Sequence, residues 1–444
     1  MPISAIVGAN WGDEGKGKFT DFLARHADFV VRFQGGSNAG HTIINEYGKF
    51  ALHLLPSGVF NPDISNVLGP CVAVHAESLR DELAELEQRG VPRPRLLISD
   101  RAQLLFSYHK RFDALEEERR AGANFGSTRS GIAPFYSDMH AKVGVRLHEL
   151  FDDAALRSHF ELILPQKNIL LRELYRQPEL RADDLMAEAR EAREFLAPYL
   201  CDTTALLREA LRQDKNILVE GQLGTLRDIY HGIYPYSTSS SPLATFAPAG
   251  LGLPASALQS VLAVTKAYSS CVGQGPFVAE LHGPEAEELR SRGGDNGEYG
   301  ATTGRPRRVG CFDAVATRYG LEIQGATELA LTNLDVLGYL DEIPVCVAYR
   351  DPDSGEESRD FPSQSRQAGM SPVLVRLPGW LQDIREVGEF AALPLRAQEY
   401  VAFLEQELGV RISWISNGPK REQVIARNPS SSFFGNPSVG HPSF

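Results

Sequence analysis

The sequence predicts an α/β protein with a mostly parallel central sheet, flanked by helices and carrying helical insertions. Three observations lead there. The small apolar run Ile3 to Val7 enters the glycine loop Gly8-Ala-Asn-Trp-Gly-Asp-Glu-Gly-Lys-Gly-Lys18, and Phe19, Phe22 and Leu23 follow at the spacing of one helical face. Asp28-Phe-Val-Val-Arg-Phe33 is a second strand that opens on a second glycine loop, Gln34-Gly-Gly-Ser-Asn-Ala-Gly-His-Thr42. Ile217-Leu-Val-Glu220 runs into Gly221, and Glu328-Leu-Ala-Leu-Thr-Asn-Leu-Asp335 carries an aspartate to its end, where α/β sheets hold nucleotides.

The first loop offers backbone N–H groups and a helix N-terminus, with Lys16 and Lys18 adding positive charge, so a phosphate is its natural guest. Its spacing is not G-x-x-x-x-G-K-S/T, so it is no Walker A loop. Asp13 stands out, because a carboxylate in a phosphate cradle repels the ligand unless a divalent cation intervenes or the acid takes a proton from a second substrate. That pairing suggests a kinase-like step on a bound acceptor. In the second loop His41 sits among three glycines and Asn38, where an imidazole can protonate or hydrogen-bond a phosphate.

Further along, Leu52 to Gly58 is a short apolar run closed by turn residues, and Val67 with Leu68 marks another strand. Glu77 to Arg89 has helical periodicity, with Gly90 placed to stop it. Mixed charges from Tyr108 to Ala121 predict an exposed helix. The loop Gly126-Ser-Thr-Arg-Ser-Gly131 suits phosphate contact. Phe151 to Arg212 is largely helical and is taken as an insertion over 151–212 within one large domain, 1–427. Residues 428–444, rich in Pro, Ser and Gly, form a tail with Phe433, Phe434 and Phe444 free to dock. Gly300-Ala-Thr-Thr-Gly-Arg-Pro-Arg-Arg308 gathers Arg305, Arg307 and Arg308 for an anionic substrate. Asp335 can accept the pair of N–H donors that guanine offers and adenine lacks.

At 444 residues with 43% hydrophobic content the chain has ample length for a core. A formal charge of -12 argues against a general nucleic-acid binder. Five scattered cysteines, Cys71, Cys201, Cys271, Cys311 and Cys346, fit buried reduced thiols rather than zinc ligands or a disulfide framework. With no leader pattern at Met1 and no apolar run near the length of a membrane span, the expectation is a cytoplasmic protein without a membrane segment.

Four long motifs in order, W-G-D-E-G-K-G-K at Trp11 to Lys18, Q-G-G-x-N-A-G-H-T at Gln34 to Thr42, H-G-x-Y-P-Y at His231 to Tyr236 and G-A-T-T-G-R at Gly300 to Arg305, resemble the adenylosuccinate synthetase family. The resemblance runs from residue 3 to about 427. It implies a P-loop-NTPase-like sheet and a homodimeric, GTP- and Mg²⁺-dependent ligase that phosphorylates the O6 of IMP and lets L-aspartate displace the phosphate. It also implies roles. Asp13 is the base at purine N1 and binds Mg²⁺ with the Gly40 carbonyl; His41 and Lys16 serve the phosphoryl group. GTP falls to Gly12, Gly15, Lys16, Gly17, Gly40, His41, Thr42, Asn333, Asp335, Ser416 and Gly418. The acceptor nucleotide falls to Asp13, Asn38, Thr128, Lys142, Gln222, Leu223, Thr238, Val272 and Arg305, and aspartate to Thr302, Thr303, Arg305 and Arg307.

Departures from the family pattern concentrate around the acceptor. Glu-Gly-Ala-Gln-Gly-Thr becomes Glu220-Gly-Gln-Leu-Gly-Thr225, so Leu223 stands where a glutamine holds the purine's reacting oxygen. Losing one preorganised donor of that kind costs about 10²- to 10³-fold in rate. Gln222 compensates only if the loop is reshaped. Lys142 aligns with an arginine that reaches the nucleotide phosphate across the dimer, and loses its two-pronged grip. Asn333 replaces a lysine whose stem covers the guanine, Pro306 interrupts the arginines, and Gly126 to Gly131 departs from Gly-Thr-Thr-Gly-Arg-Gly. Two rivals follow: a diverged paralogue that joins aspartate or a similar amino acid to another 6-oxopurine nucleotide with GTP or another triphosphate, and a nucleotide-binding protein without catalysis. Intact Asp13 and His41 argue against the last.

Overall fold

In the computed structural model, which describes residues 3–120, 126–295, 297–300 and 304–429, the opening apolar run is a strand, Ile3–Gly8, with every residue buried. A strand apolar throughout must be covered on both faces, and this one lies at the heart of the sheet. Its neighbours are Ile217–Glu220 and Leu258–Lys266, both parallel to it. Ten strands make the sheet, in the order Val424–Ala426, Ile412–Ser416, Glu328–Thr332, Leu258–Lys266, Ile3–Gly8, Ile217–Glu220, Phe29–Arg32, Ser65–Leu68, Arg95–Ser99 and Leu200–Cys201. Within this sheet, among the described residues, only the edge pair at Ile412–Ser416 and Val424–Ala426 is antiparallel.

Parallel strands deliver their carboxyl ends to one side. Gly8, Arg32, Glu220, Thr332 and Ser416 therefore all end on the same rim, and both glycine loops, the 221–224 turn, the 333–335 turn and the 417–418 turn leave from it. After the first loop, α1 (Lys16–Ala24) begins behind Gly15 with no side-chain cap. Its first amides are left for a ligand. Phe19, Leu23 and Ala24 of α1 pack on Ile6, Val30 and Leu218 of the sheet. The strand that sequence carries to Asp335 stops at Thr332; Asn333 turns in the left-handed region, and Asp335 rides on the following 3-10 turn, Leu334–Tyr339.

Helix α2 (Ala76–Gln88) stands where periodicity put it, with Gly90 beyond its end at φ +77°. Helix α3 (Ser107–Arg119) corrects the expectation of an exposed charged helix. Its Tyr108, His109 and Phe112 are buried, and so are Asp113 and Glu117, because these two acids accept backbone N–H groups of the 126–131 loop. Charge density alone hid the apolar face. Helix α4 (Ile132–Ala141) follows that loop.

The insertion holds α5 (Asp153–Ile169), a π-helical turn at Leu170–Tyr175, and α6 (Ala182–Leu196). Leu156, Phe160, Ile163, Leu185 and Met186 close a core of their own against Leu104, Phe106 and Phe112. Each fully buried side chain of that size contributes about 1.5–3 kcal/mol. Leu200–Cys201 then pairs with Ile98 and Ser99 at the sheet edge, and α7 (Thr203–Arg212) lends Leu207 and Ala210 to the sheet's core. The last dozen residues of the 151–212 stretch thus belong to the central layer. All five cysteines are free; Cys271, Cys311 and Cys346 are buried, whereas Cys71 and Cys201 are partly exposed, against the expectation that all five are buried.

Candidate active site

A cavity of about 350 Å³ lies on the rim where the strand ends converge. Asp13, Asn38 and Leu223 line one end, Gly15, Lys16, Gly17, Gly40, His41 and Thr42 the middle, and Asn333, Asp335, Ser416 and Gly418 the far end. Residues separated by up to 405 positions share one wall because the parallel sheet brings their strand ends side by side.

The two glycine loops are packed tightly enough to dictate their composition. A Cβ built on Gly17 would come within 2.7 Å of the His41 Cβ, so only glycine lets α1 pass the second loop at that distance. His41, at the start of the hairpin strand His41–Asn45, is buried, and its Nδ1 lies 2.6 Å from Glu220 Oε1. Glu220 is itself fully buried and accepts from the Ser57 N–H at 2.8 Å and from the Ser57 hydroxyl. Burial pushes the imidazole below its ordinary value against the pull of Glu220. Burial alone would raise the Glu220 carboxyl, but His41, Arg32 and Ser57 hold it below the usual range. Since the Glu220 carboxylate accepts the Nδ1–H, His41 Nε2 is the free nitrogen, and it has no partner among the described residues.

Asp13 is held at φ +59°, outside the usual range for a non-glycine residue. Its Oδ2 meets Arg307 Nη2 at 3.0 Å across the cavity. Arg307 is also bound by Glu298 Oε2 at 2.8 Å, and Glu298, fully buried, accepts from Lys266 Nζ at 2.7 Å and from the Tyr268 hydroxyl. Burial would raise the Glu298 carboxyl, yet Lys266 and Arg307 pull it to about 2. The same two acids hold Arg307 above its ordinary value despite its burial. Asn333 Nδ2 joins this network through the Tyr268 oxygen at 3.0 Å.

Lys16 lines the cavity while donating to Glu14 Oε2 at 2.6 Å; Glu14 Oε1 accepts the Asn10 and Gly12 amides. At the far end Lys18 Nζ donates to Ser416 Oγ and the Gly418 carbonyl, both at 2.7 Å, and burial lowers it to about 7. Burial also raises the Asp335 carboxyl, with Lys18 opposing.

The arginines do not gather as sequence suggested. Of the three, Arg307 lines the cavity, and among the described lining residues Arg305 and Arg308 do not appear. Arg308 turns to Glu280 and the Gly275 carbonyl, since consecutive residues of the extended segment face opposite ways. Arg305 is exposed. Thr302 and Thr303 lie outside the described residues. Arg227 clamps the Tyr236 and Val272 carbonyls while its own carbonyl accepts from the Thr238 N–H at 2.8 Å, which brings Thr238 and Val272 together, and among the described residues Thr238 Oγ1 is buried without a partner. Gly126 abuts Gly273, a Cβ there lying 3.3 Å from the Gly273 Cα, so the loop of exposed Thr128 meets the Val272 turn. Lys142 is exposed, at the end of α4, and is not among the cavity residues.

Gln222 and Leu223 have separated. Leu223, at φ +60°, lines the cavity beside Asp13, while Gln222 is buried behind it and donates to Asn38 Oδ1 at 2.9 Å. Sequence reasoning missed Glu14, Glu220, Arg32, Lys266 and Glu298. Glu220 carried a readable sign, an acid at the end of an apolar strand just before glycine; Glu298 carried none.

By fold the chain stands among the parallel-sheet α/β proteins that take nucleotides at the carboxyl ends of their strands. Comparison with known proteins narrows that class. The adenylosuccinate synthetase family model matches residues 5–425, and the chain belongs to that family. It is 45% identical to an adenylosuccinate synthetase of Acidothermus cellulolyticus, over 96% of this chain and 99% of the relative. The one from Bifidobacterium adolescentis is 44% identical over the same shares. Among solved structures, the fully ligated adenylosuccinate synthetase from Plasmodium falciparum superposes with a TM-score of 0.89 at 34% identity, covering 96% of this chain and 100% of that one. A cyanophage S-2L succinoaminodeoxyadenylate synthetase, bound to dGMP and to dATP as an energy donor, is alike in fold alone, with a TM-score of 0.62 at 18% identity over 97% and 96% of the two chains.

Proposed function

We propose that this chain joins IMP and L-aspartate at the expense of GTP, releasing adenylosuccinate, GDP and phosphate, the reaction of its family. Asp13 takes the proton from purine N1, and O6 attacks the γ-phosphorus of GTP as GDP leaves. The aspartate nitrogen then adds at C6 and phosphate departs. His41 Nε2, kept free by the Glu220 contact at Nδ1, faces the transferring phosphoryl group, takes up a proton as that anion arrives and stabilises it. Arg307 releases Asp13 when a substrate carboxylate claims its guanidinium. Lys16, the α1 amides, Asp335, Ser416 and Gly418 hold GTP. The observation that carries this reading is that Asp13, His41 and Arg307 open onto one cavity.

The Asp13 carboxylate and the Gly40 carbonyl, two oxygen donors on that wall, suit Mg²⁺, which completes its shell with substrate phosphates and water rather than a protein cage. Held there, it would neutralise phosphate charge as the phosphoryl group moves. We read residues 1–427 as one catalytic unit and the protein as a cytoplasmic homodimer. Five free thiols suit a reducing compartment. Leu162, Ile169 and Leu174 leave an apolar stripe on the insertion, Leu162 being 77% exposed. Lys142 sits next to it, since Val143 accepts from His159 of α5, and from there it serves the partner's acceptor phosphate.

The test is an assay of purified protein with Mg²⁺, L-aspartate, and IMP or other purine monophosphates against GTP and ATP, read by mass spectrometry. A succinylated IMP product made with GTP supports the reading. Leu223 in the cavity favours one second reading, an acceptor that asks for an apolar wall beside Asp13, and a different succinylated product would identify it. Nucleotide binding without product defeats both.

A further inference from the structure

Next to Asp13 the cavity wall is apolar at Leu223, and the amide of Gln222 is turned behind it. There its Nε2 passes directly over the second glycine loop: a Cβ on Gly35, at φ +78°, would fall 1.4 Å from that nitrogen. Nε2 donates to Asn38 Oδ1 at 2.9 Å, Oε1 accepts from Arg32 Nη2, and Gln34 Nε2 fixes the Gln222 carbonyl at 3.0 Å.

The polarity of this relay is set from both ends. A guanidinium only donates, so Gln222 must show its oxygen to Arg32 and its nitrogen to Asn38. A backbone N–H only donates, so Asn38 must show its oxygen to Gly36, whose nitrogen lies 3.3 Å away. Both demands turn Asn38 the same way. Its Oδ1 accepts twice, and its Nδ2 hydrogens, which no described residue accepts, are left for the cavity that Asn38 lines.

We propose that Gln222 is a positioning residue, locking the Asn38 amide through the Arg32–Gln222–Asn38 relay so that Nδ2 donates to the acceptor purine's reacting oxygen and to the phosphoryl group it receives. The donor that Leu223 does not supply comes from Asn38 instead. A reversed Asn38 would aim an oxygen at a developing anion. This rests on the acceptor-side reading of the cavity given above.

Gln222→Glu is the sharp variant. A carboxylate keeps Arg32 paired but has no hydrogen for Asn38 Oδ1, so it draws Nδ2 and reverses the Asn38 amide. Asn38→Asp, at a partly exposed position, is the second arm: it keeps both acceptor contacts and loses the donor. Steady-state kinetics with Mg²⁺, GTP, IMP and L-aspartate, alongside melting curves, should give near-wild-type melting and a KM for GTP within about twofold, while kcat falls about 10²- to 10³-fold in each variant. Added to Asn38→Ala, Gln222→Glu should cost nothing further, since the two act as one unit. Wild-type kcat in either variant, or a Gln222→Glu loss that adds in full to that of Asn38→Ala, overturns the relay alone. An inactive wild-type protein overturns the functional reading and the relay with it.

Discussion

Glu220 Oε1 lies 2.6 Å from His41 Nδ1, inside the protein, at the point where two parallel strand ends meet a glycine loop. The contact settles which imidazole nitrogen is available. If His41 serves the phosphoryl group through Nε2, Glu220→Gln should lower kcat by about 10²- to 10⁴-fold, the usual worth of a general acid–base group. The pH profile adds a sign. Burial holds His41 below its ordinary value while Glu220 pulls it up, so removing the carboxylate lowers it further and moves the alkaline limb of kcat/KM, where the proton His41 must carry is lost, to lower pH. A limb that moves upward would contradict the pairing.

Asp13→Ala should abolish adenylosuccinate formation while GTP binding, followed with a fluorescent analogue, persists. Near-wild-type turnover would remove Asp13 from the role of base. Arg307→Leu should raise the KM for L-aspartate by about 10-fold or more, the loss of a charged hydrogen bond, and leave GTP binding unchanged.

Leu223→Gln should raise turnover on IMP by roughly tenfold or more if a second donor beside Asp13 is useful. The backbone there is left-handed, so one side chain unbranched at Cβ replaces another without new strain. No gain would mean that Asn38 already fills the donor role.

The Glu298 network predicts an acid-labile share of stability. Its carboxyl falls from 4.5 to about 2 on folding, so the contribution is complete above 4.5 and is lost as pH falls through 2. Over that window it amounts to roughly 3 kcal/mol. Glu298→Gln removes the acid that pairs buried Lys266, leaves Arg307 with Asp13 alone, and should cost about 3–5 kcal/mol at pH 7. In denaturant titrations at pH 7 and pH 3 the gap between variant and wild type should narrow at the lower pH.

Paired Leu162→Glu and Ile169→Glu should shift sedimentation from dimer to monomer. If Lys142 serves the neighbouring subunit, mixing inactive Asp13→Ala with impaired Lys142→Ala should restore about a quarter of wild-type activity, because half the dimers are mixed and each holds one intact site. No recovery on mixing would keep Lys142 in its own subunit.

Much of the site was legible because it is local. The two glycine loops, Asp13, Lys16 and His41 lie within 35 consecutive residues, and their composition alone speaks of phosphate and proton transfer. Asp335 was legible from its place just past an apolar run, whereas Ser416 and Gly418 needed the family resemblance, although they lie at and just beyond the end of an apolar strand, where such sheets bind. The helix α3 was misjudged because acids that cap a loop look the same in sequence as acids that face water.

The sequence by itself determined the fold class, the strand-loop-helix order and the chemical inventory, since these follow from periodicity, glycine placement and side-chain type. Only the tertiary structure decided the partnerships: His41 with Glu220, Asp13 with Arg307, Arg307 with Glu298, and Gln222 rather than Leu223 with Asn38. These pairs are joined by parallel-strand register and by which way one left-handed residue turns its neighbours. Neither is written in any single stretch of the chain, because register depends on all the strands burying their faces together.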